Sequence, residues 1–508
     1  MKKKEHPWIK LKKYPHIGFP IEWCDVPKLE TYITNNSKIA KHSFLPFIHR
    51  TIFQRKYRAL NNGERNPSKK RKREKNKRTK AREIHFASHF DAQIYSYYSY
   101  LLSKKYNDLL KTKNFNKSVV AYRKIEIEGK KDKHKCNIDF ALDTFQFIKN
   151  QKDKELTVIV ADVTKFFDSL NHSILKKKWK EVLGEKVSLP ADHYNVFKSL
   201  TKMRYVNEDL LFRNYKDKIW VSTREENNPK KKRLKQKSFK KKHFLKDNNA
   251  VSYCDRDTFF KNSLHLISKS TNSKGIPQGT ALSATLANIY MLDFDQKVQD
   301  YINSVNGYYQ RYSDDLIIVV PRKCEKEAIN MIRSLVKEEA KLEIHPDKTT
   351  VYHFYNKNSQ FVGYEIDEKT QEIKNKKLEY LGFEFDGERV LIKTAGYSKF
   401  YRSMKRSFKR ATSLAVNAKS VDDEIHKGAL YKRFTYKGAK RKRVYNKKTK
   451  TEKYDWGNYL SYVEKANASF RTFNGGNQIK RQSRKSWSSF HTLLNTSLKE
   501  IQKKQKSF

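Results

Sequence analysis

Three aspartates set out the chemistry. Asp162 closes the apolar run Leu156-Thr-Val-Ile-Val-Ala161, and Asp314 and Asp315 stand side by side between two further apolar runs. A carboxylate ending an apolar strand carries a desolvation cost unless a cation meets it. Three converging carboxylates repel one another unless a metal ion lies between them. Hard oxygen ligands acting on a phosphate substrate call for Mg²⁺, with Mn²⁺ as a substitute. Two such ions would activate an attacking hydroxyl and neutralise a leaving pyrophosphate.

The elements that must position these groups follow from patterning. Leu156–Ala161 is β-rich and apolar throughout, which predicts a buried strand. Tyr308–Tyr312 and Leu316–Val320 predict two strands around Ser313-Asp314-Asp315. Ala281–Phe294 predicts a helix entered through Gly275-Ile-Pro-Gln-Gly279. A helix is expected from Ser173, with that serine as its cap, and an amphipathic helix over Glu325–Leu342, stopped at His345-Pro346. Leu378–Phe385 and Val390–Lys393 predict another hairpin. From Gly396 onward the pattern is helical and basic. The sum is an α+β core with a mostly helical, basic C-terminal region.

Composition points to a polyanionic partner. The 508 residues hold 110 Lys and Arg against 55 Asp and Glu, a formal charge of +55. Thirty Phe and thirty Tyr exclude a solvated basic tail. A folded protein with so positive a field implies nucleic acid. Lys69–Arg82 carries ten basic residues in fourteen, and Lys230–Lys246 ten in seventeen. A third run opens at Lys440-Arg441-Lys442-Arg443. Such runs read as phosphate-contacting surfaces, here Lys69, Lys70, Arg71, Lys72 and Arg73 with Lys440, Arg441, Lys442 and Arg443. The second run follows Asn227-Asn228-Pro229 and reads as an inserted loop. Cys24, Cys136, Cys254 and Cys324 form no CxxC, which argues against a zinc ribbon or a disulfide framework and fits a reducing cytoplasm. No apolar run approaches membrane-spanning length, and Met1-Lys-Lys-Lys-Glu5 leads into no apolar segment, so neither membrane insertion nor Sec export is expected. The sequence shows no P-loop, nucleophile elbow or HExxH segment.

Asp162-Val-Thr-Lys-Phe-Phe167, Gly275-Ile-Pro-Gln-Gly279 and Tyr312-Ser-Asp-Asp315, in that order, resemble a reverse transcriptase palm. Pro346-Asp-Lys348-Thr and Tyr380-Leu-Gly-Phe383 follow where that family carries its next two motifs. Arg82–Tyr98, Tyr122-Arg123-Lys124, Cys136-Asn-Ile-Asp139 and the tail segment Trp456–Tyr462 make the chain similar to bacterial defence-associated reverse transcriptases of the abortive-infection and unknown-group type. The resemblance implies a right-hand polymerase of fingers, palm and thumb. It divides the chain into a basic N-terminal region with the start of the fingers (1–115), fingers and palm with a basic insertion near 222–250 (116–393), and a helical thumb-like RNA-binding region (394–508).

The resemblance also assigns roles. Asp162, Asp314 and Asp315 would ligate metal, with the backbone carbonyl of Val163. Phe167 matches the bulky gate under the sugar, with Phe166 the alternative ring, since only one of the pair can face the site. Gln278 would lie near the incoming nucleotide, with Gly279 permitting close backbone approach, or the loop is a helix-entry turn alone. Lys348 would stabilise pyrophosphate. Arg123 and Lys124 read equally as a triphosphate clamp or as RNA-backbone contacts. Tyr380, Leu381, Gly382 and Phe383 would place the primer end, or form a hairpin core. His85, His89 and His172 read as structural or RNA-contacting, because no spacing pairs them as ligands. The expected activity is RNA-directed DNA synthesis on a structured noncoding RNA, with deoxynucleoside triphosphates as substrates and DNA as product, in anti-phage defence. Template-independent or protein-primed synthesis stays open, as do a catalytically idle RNA-binding scaffold and a homo-oligomer.

Overall fold

The run Leu156–Asp162 is apolar throughout because both its faces are covered. Ile159 and Ala161 point into one hydrophobic cluster, and Leu156 and Val158 into another. The strand lies inside a six-stranded antiparallel sheet. The order is Tyr308–Tyr312, Asp315–Pro321, Leu156–Asp162, Thr350–Lys357, Gln360–Ile366 and Ile373–Lys374. Its neighbour Asp315–Pro321 alternates the same way, with Leu316, Ile318 and Val320 on the first face and Ile317 and Val319 on the second. The structure, a computed structural model, describes residues 6–55, 79–224, 232–345, 349–367, 370, 372–374, 376–417, 425, 427–439, 443–446, 451–454 and 457–505.

The first face of the sheet packs on helices His89–Lys111, His172–Leu183, Ala281–Tyr290 and Leu292–Ser304. The second face packs on helix Asn137–Asn150, the small sheet Leu378–Tyr380, Phe383–Phe385 and Val390–Ile392, and the helix Tyr459–Ser469. A second four-stranded sheet runs Ile267–Lys269, Arg204–Asn207, Phe47–Arg55, Thr79–Phe86. A third runs His16–Ile17, Ala250–Cys254, Ile219–Arg224, Lys232–Lys237. Helix Thr394–Asn417 opens the C-terminal region and shares a core with Lys427–Phe434 and Ser486–Gln505. Among the described residues no helix is long and apolar enough to cross a membrane.

Four sequence-based boundaries move. The basic run expected as an inserted loop contains the strand Lys232–Lys237, paired along its length with Ile219–Arg224. Its lysines suit an edge strand, because charge there discourages further pairing. The helix expected from Ser173 starts at His172, and its cap is Asn171, whose side chain accepts from the amides of Ser173 and Ile174 at 2.9 and 3.2 Å. Ala281–Phe294 divides at Met291 into two helices. Glu325–Leu342 ends at Glu338, and the chain turns at Lys341, whose φ is 50°.

Candidate active site

Strand register brings the aspartates together. Asp162 and Asp315 are direct partners across antiparallel strands, so their side chains leave the same face of the sheet. Asp314 occupies the turn between Tyr308–Tyr312 and Asp315–Pro321, and its carbonyl accepts from the Val163 amide at 3.3 Å. Asp162 and Asp314 are half-buried and Asp315 is exposed. Ser313, at φ 65°, makes the turn tight. The His345 amide donates to the Asp162 carbonyl at 2.8 Å, so the segment leading to Lys348 starts beside Asp162. Lys348 lies outside the described residues, as do Lys69, Lys70, Arg71, Lys72, Arg73, Lys440, Arg441 and Lys442. Arg443 opens the short strand Arg443–Asn446.

A buried ion pair holds the turn carrying Asp314 from the opposite face. Arg311 and Asp295 are both fully buried, with Nη2–Oδ2 at 2.6 Å and Nε–Oδ1 at 2.7 Å. Arg311 also donates to the carbonyl of Ser313 at 3.1 Å and to Asn288 Oδ1 at 3.3 Å. The Tyr309 hydroxyl donates to Asp295 at 2.6 Å. Burial alone would lower the Arg311 pKa, but the Asp295 carboxylate reverses this and keeps the guanidinium charged. The guanidinium and the carboxylate each find partners, as a buried charge requires. Sequence reasoning missed this pair. Its signal was an arginine in phase with Tyr309 on the inward face of a predicted strand, where a lone charge needs a counterion.

The segment Ser118–Arg123 is attached to the same strand. Arg311 donates its amide to Ser118, and Val120 donates to Arg311, at 2.7 and 3.1 Å. Arg123 is committed internally. Its guanidinium donates to Asn107 Oδ1 (2.8 Å), to the carbonyls of Asn116 and Val119 (2.6 and 2.7 Å) and to Asn116 Oδ1 (2.6 Å). Burial lowers its pKa. The structure therefore gives Arg123 the task of fixing its own loop, whereas Lys124 is exposed. The loop presents Tyr122, at φ 61° and 53% exposed, whose hydroxyl donates to Ser313 Oγ at 3.2 Å.

Phe166 and Phe167 differ in exposure. Phe166 is buried in the core, and Phe167 is half-buried at the core's edge. The Gly275–Gly279 loop is strapped to this segment. Gly275 and Ile276 donate to the carbonyls of Leu170 and Phe167 at 2.8 and 2.9 Å, and a Cβ on Gly275 would lie 2.8 Å from the Asp168 carbonyl. Gln278 is half-buried, and its carbonyl accepts from the His85 amide at 2.9 Å. The close approach that Gly279 permits is to the chain itself, since a Cβ there would stand 2.6 Å from the His85 carbonyl. Thr280 then caps the helix Ala281–Tyr290, so the loop is also a helix entry.

Leu381 and Gly382, at φ 44° and 91°, form the tip of a tight hairpin. They line a cleft of 480 Å³ together with Asp315, Tyr312, Asn137 and Lys393. Tyr380 and Phe383 are buried beneath the tip, and the Tyr380 hydroxyl donates to Gln310 at 2.9 Å. Asn137 donates to the Leu381 carbonyl at 3.3 Å and to the Tyr462 hydroxyl at 3.2 Å, tying the tip to the C-terminal helices. His172 Nε2 lies 2.7 Å from the Gly275 carbonyl, and burial lowers the pKa of His172, of His89 and of His85, the last to about 4.

Residues 229–385 match the family described as reverse transcriptase (RNA-dependent DNA polymerase). The chain carries a reverse transcriptase domain. The matched segment includes Gln278, Asp314, Asp315 and the Tyr380–Phe383 hairpin. Asp162 lies before it and joins the site through strand pairing. The sheet and its helices form the α+β palm of a right-hand polymerase, and the matched family is described as one of RNA-dependent DNA polymerases. No curated protein matches the sequence. Among solved structures the chain is similar to apo telomerase from Candida tropicalis truncated from its C-terminal domain, at 14% identity and TM-score 0.34, over 70% of this chain and 61% of that one. It is also similar to telomerase from Candida albicans in complex with a TWJ fragment of telomeric RNA, at 12% identity and TM-score 0.38, over 92% of this chain and 66% of that one.

Reverse transcriptase domains use divalent cations, typically Mg²⁺. The donors here suit such an ion, because the cross-strand pair Asp162 and Asp315 and the adjoining Asp314 offer carboxylates, with no thiolate or imidazole among them. Among the described residues no three His, Cys, Asp or Glu side chains close into a ready-made metal site. An incomplete carboxylate set fits Mg²⁺, which keeps waters and takes substrate phosphates as further ligands.

Proposed function

We propose that this chain is a cytoplasmic enzyme of bacterial anti-phage defence that copies a bound, structured noncoding RNA into DNA by two-metal phosphoryl transfer. The carrying observation is the register that sets Asp162 opposite Asp315, with Asp314 in the adjoining turn. Asp162, Asp314, Asp315 and the Val163 carbonyl would hold the ions. When bound, Mg²⁺ supplies charge neutralisation at the attacking hydroxyl and at the leaving pyrophosphate. Phe167 presents apolar bulk to the sugar, and the Gln278 loop packs directly against it through Ile276. Leu381 and Gly382 seat the primer end beside Asp315. Lys124 meets the triphosphate and Lys348 the departing pyrophosphate. The defence role is supported by the upstream segments Arg82–Tyr98, Tyr122–Lys124 and Cys136–Asp139 and by the tail segment Trp456–Tyr462.

The test is incorporation by purified protein with its copurified RNA, Mg²⁺ and each deoxynucleotide, followed by sequencing of the product. A product complementary to the copurified RNA is expected, and ribonuclease pretreatment should abolish it. Synthesis that persists without RNA would overturn the templated reading. One observation favours a second reading, protein priming, because the exposed Tyr122 hydroxyl sits at the catalytic turn. In that case DNA would remain attached to the denatured protein, and Tyr122→Phe would release it.

A further inference from the structure

Helix Asn137–Asn150 starts with an asparagine whose side chain the helix does not use. The cap is Cys136, whose amide donates to Asp139 Oδ2 at 2.8 Å, and Asp139 also supplies the negative charge that suits a helix N-terminus. The Asn137 carboxamide is engaged elsewhere. It is half-buried and lines the 480 Å³ cleft with Asp315, Leu381, Gly382 and Lys393. Its Nδ2 donates to the Leu381 carbonyl at 3.3 Å and to the Tyr462 hydroxyl at 3.2 Å. A carboxamide nitrogen carries two N–H donors in one plane, so a single rigid group sets the spacing between those two acceptors.

Each acceptor belongs to a different part of the molecule. Leu381 and Gly382 form the hairpin tip, at φ 44° and 91°. A leucine holds that left-handed conformation only where its surroundings impose it. The Gly382 carbonyl is fixed from within the small sheet, by the Lys393 amide at 2.9 Å. The Leu381 carbonyl is fixed from outside the sheet, by Asn137, and this sets the plane of the rigid peptide that joins Leu381 to Gly382. A Cβ on Gly382 would meet nothing within 4 Å, so the tip faces open space. Tyr462 belongs to helix Tyr459–Ser469. Its ring stacks on Phe383 beneath the tip, with centroids 6.2 Å apart. Three residues on, Lys465 Nζ lies 3.1 Å from both Asp139 Oδ2 and Cys136 Sγ. Tyr459 of the same helix stacks on Phe400 of helix Thr394–Asn417 at 4.9 Å. The C-terminal region is thus clasped to the first turn of helix Asn137–Asn150, at the residue that holds the tip.

We infer that Asn137 is a positioning residue for the primer end, and that it sets the tip according to how helix Tyr459–Ser469 is seated. The inference rests on the reading of Leu381 and Gly382 as the seat of the primer. A shift of the helix passes through the Tyr462 hydroxyl to the carboxamide, and from there to the Leu381–Gly382 peptide beside Asp315. The attacking hydroxyl then lies in line only when the C-terminal region is docked. Misplacement by about 1 Å is enough to cost about 10²-fold in rate. Starting the helix does not require Asn137, because Cys136 and Asp139 already satisfy its first turn.

The test uses the full chain and a DNA primer annealed to an RNA template, with the fluorescent base 2-aminopurine at the primer terminus. Its emission reads where the primer end sits before any nucleotide is added. Asn137→Asp keeps the side-chain shape and adds a charge that a helix N-terminus favours, but it removes both donors. The urea midpoint should hold. The kcat for deoxynucleotide incorporation should fall about tenfold or more with little change in KM for the hybrid, and the emission should move toward that of the free hybrid. Tyr462→Phe keeps the ring on Phe383 and removes only the acceptor, so the same changes should appear at smaller size with the fold intact. Unchanged kcat and emission in Asn137→Asp overturn the inference. A loss of kcat matched by lower urea midpoints in both variants overturns it too, because a structural role explains that result. Wild-type protein separates the two readings. If its emission shifts and that of Asn137→Asp does not, yet neither extends the primer, the role of Asn137 stands and the polymerase assignment falls. If it extends the primer and Asn137→Asp matches it in both readouts, the assignment stands and the role of Asn137 falls.

Discussion

The aspartate corner and the basic groove lined by Lys41, Lys198, Lys202, Arg204 and Lys269 are built on opposite terms. At the corner, Asp162 and Asp315 are fixed by register, and the turn carrying Asp314 is anchored by a pair with no solvent exposure. In the groove, lysines stand on long exposed side chains without carboxylate partners among the described residues. Charge that develops during a reaction rewards groups fixed in advance. A polyanion rewards charge density and tolerates loose placement. One substitution should therefore be ruinous at the corner and incremental in the groove.

The sharpest probe sets Asp314→Asn beside Lys198→Ala. Deoxynucleotide incorporation should fall by about 10²–10³-fold or more in the first, with RNA copurification intact. It should change only a few-fold in the second at low salt. Equal losses in steady-state incorporation would break the comparison.

Arg311→Met leaves Asp295 buried without its partner and should cost about 3–5 kcal/mol in denaturant unfolding. Adding Asp295→Leu should restore most of that stability. Incorporation should stay low in the double variant, because the Ser313 carbonyl has lost its donor and the turn its anchor. Recovery of activity together with stability would reduce Arg311 to a packing role.

Phe166→Ala should cost about 3–5 kcal/mol through a core cavity. Phe167→Ala should cost less, since that ring is half-buried, and should raise the ratio of ribo- to deoxynucleotide incorporation. Steady-state efficiencies with both sugars decide this, and a ratio that moves for Phe166 alone would exchange the two roles.

The smallest effect concerns pH. Burial lowers the pKa of His85 to about 4 and of His16 to about 3, from 6.5. The unfolded chain then takes up protons that the folded chain refuses. The stabilisation is present above pH 6.5 and is lost as pH falls toward 4, by at most about 1.4 kcal/mol per unit for each histidine. Urea midpoints across that range should decline, and exchange of His85 for Gln should flatten the decline.

Much of the corner was legible because its signals are local. An unbroken apolar run ending in Asp162 announced a strand covered on both faces, and the aspartate pair fell between two β-rich runs. Of the adjacent rings, Phe166 lies in the core and Phe167 at its edge, in line with the expectation that the two could not face the same way. Other features were hidden for physical reasons. Arg123 read as a ligand because a sequence displays a charge and not its partners, and the carbonyls of Asn116 and Val119 that consume it leave no trace in residue type. The basic run near 232–237 read as a loop because lysine content reports solvation, while strand pairing there is made by the backbone.

The sequence by itself determined the chemistry available to this protein. Its net charge suits a polyanion, and its aspartates suit a hard cation, because both follow from the energetics of charge. Tertiary structure alone decided which charges remain for substrate. It joined Arg311 to Asp295, turned Arg123 inward, and gathered Lys41, Lys198, Lys202, Arg204 and Lys269, from three separate segments, around one groove. Those outcomes depend on distances between residues far apart in the chain, and electrostatic energy is set by distance rather than by order along the sequence.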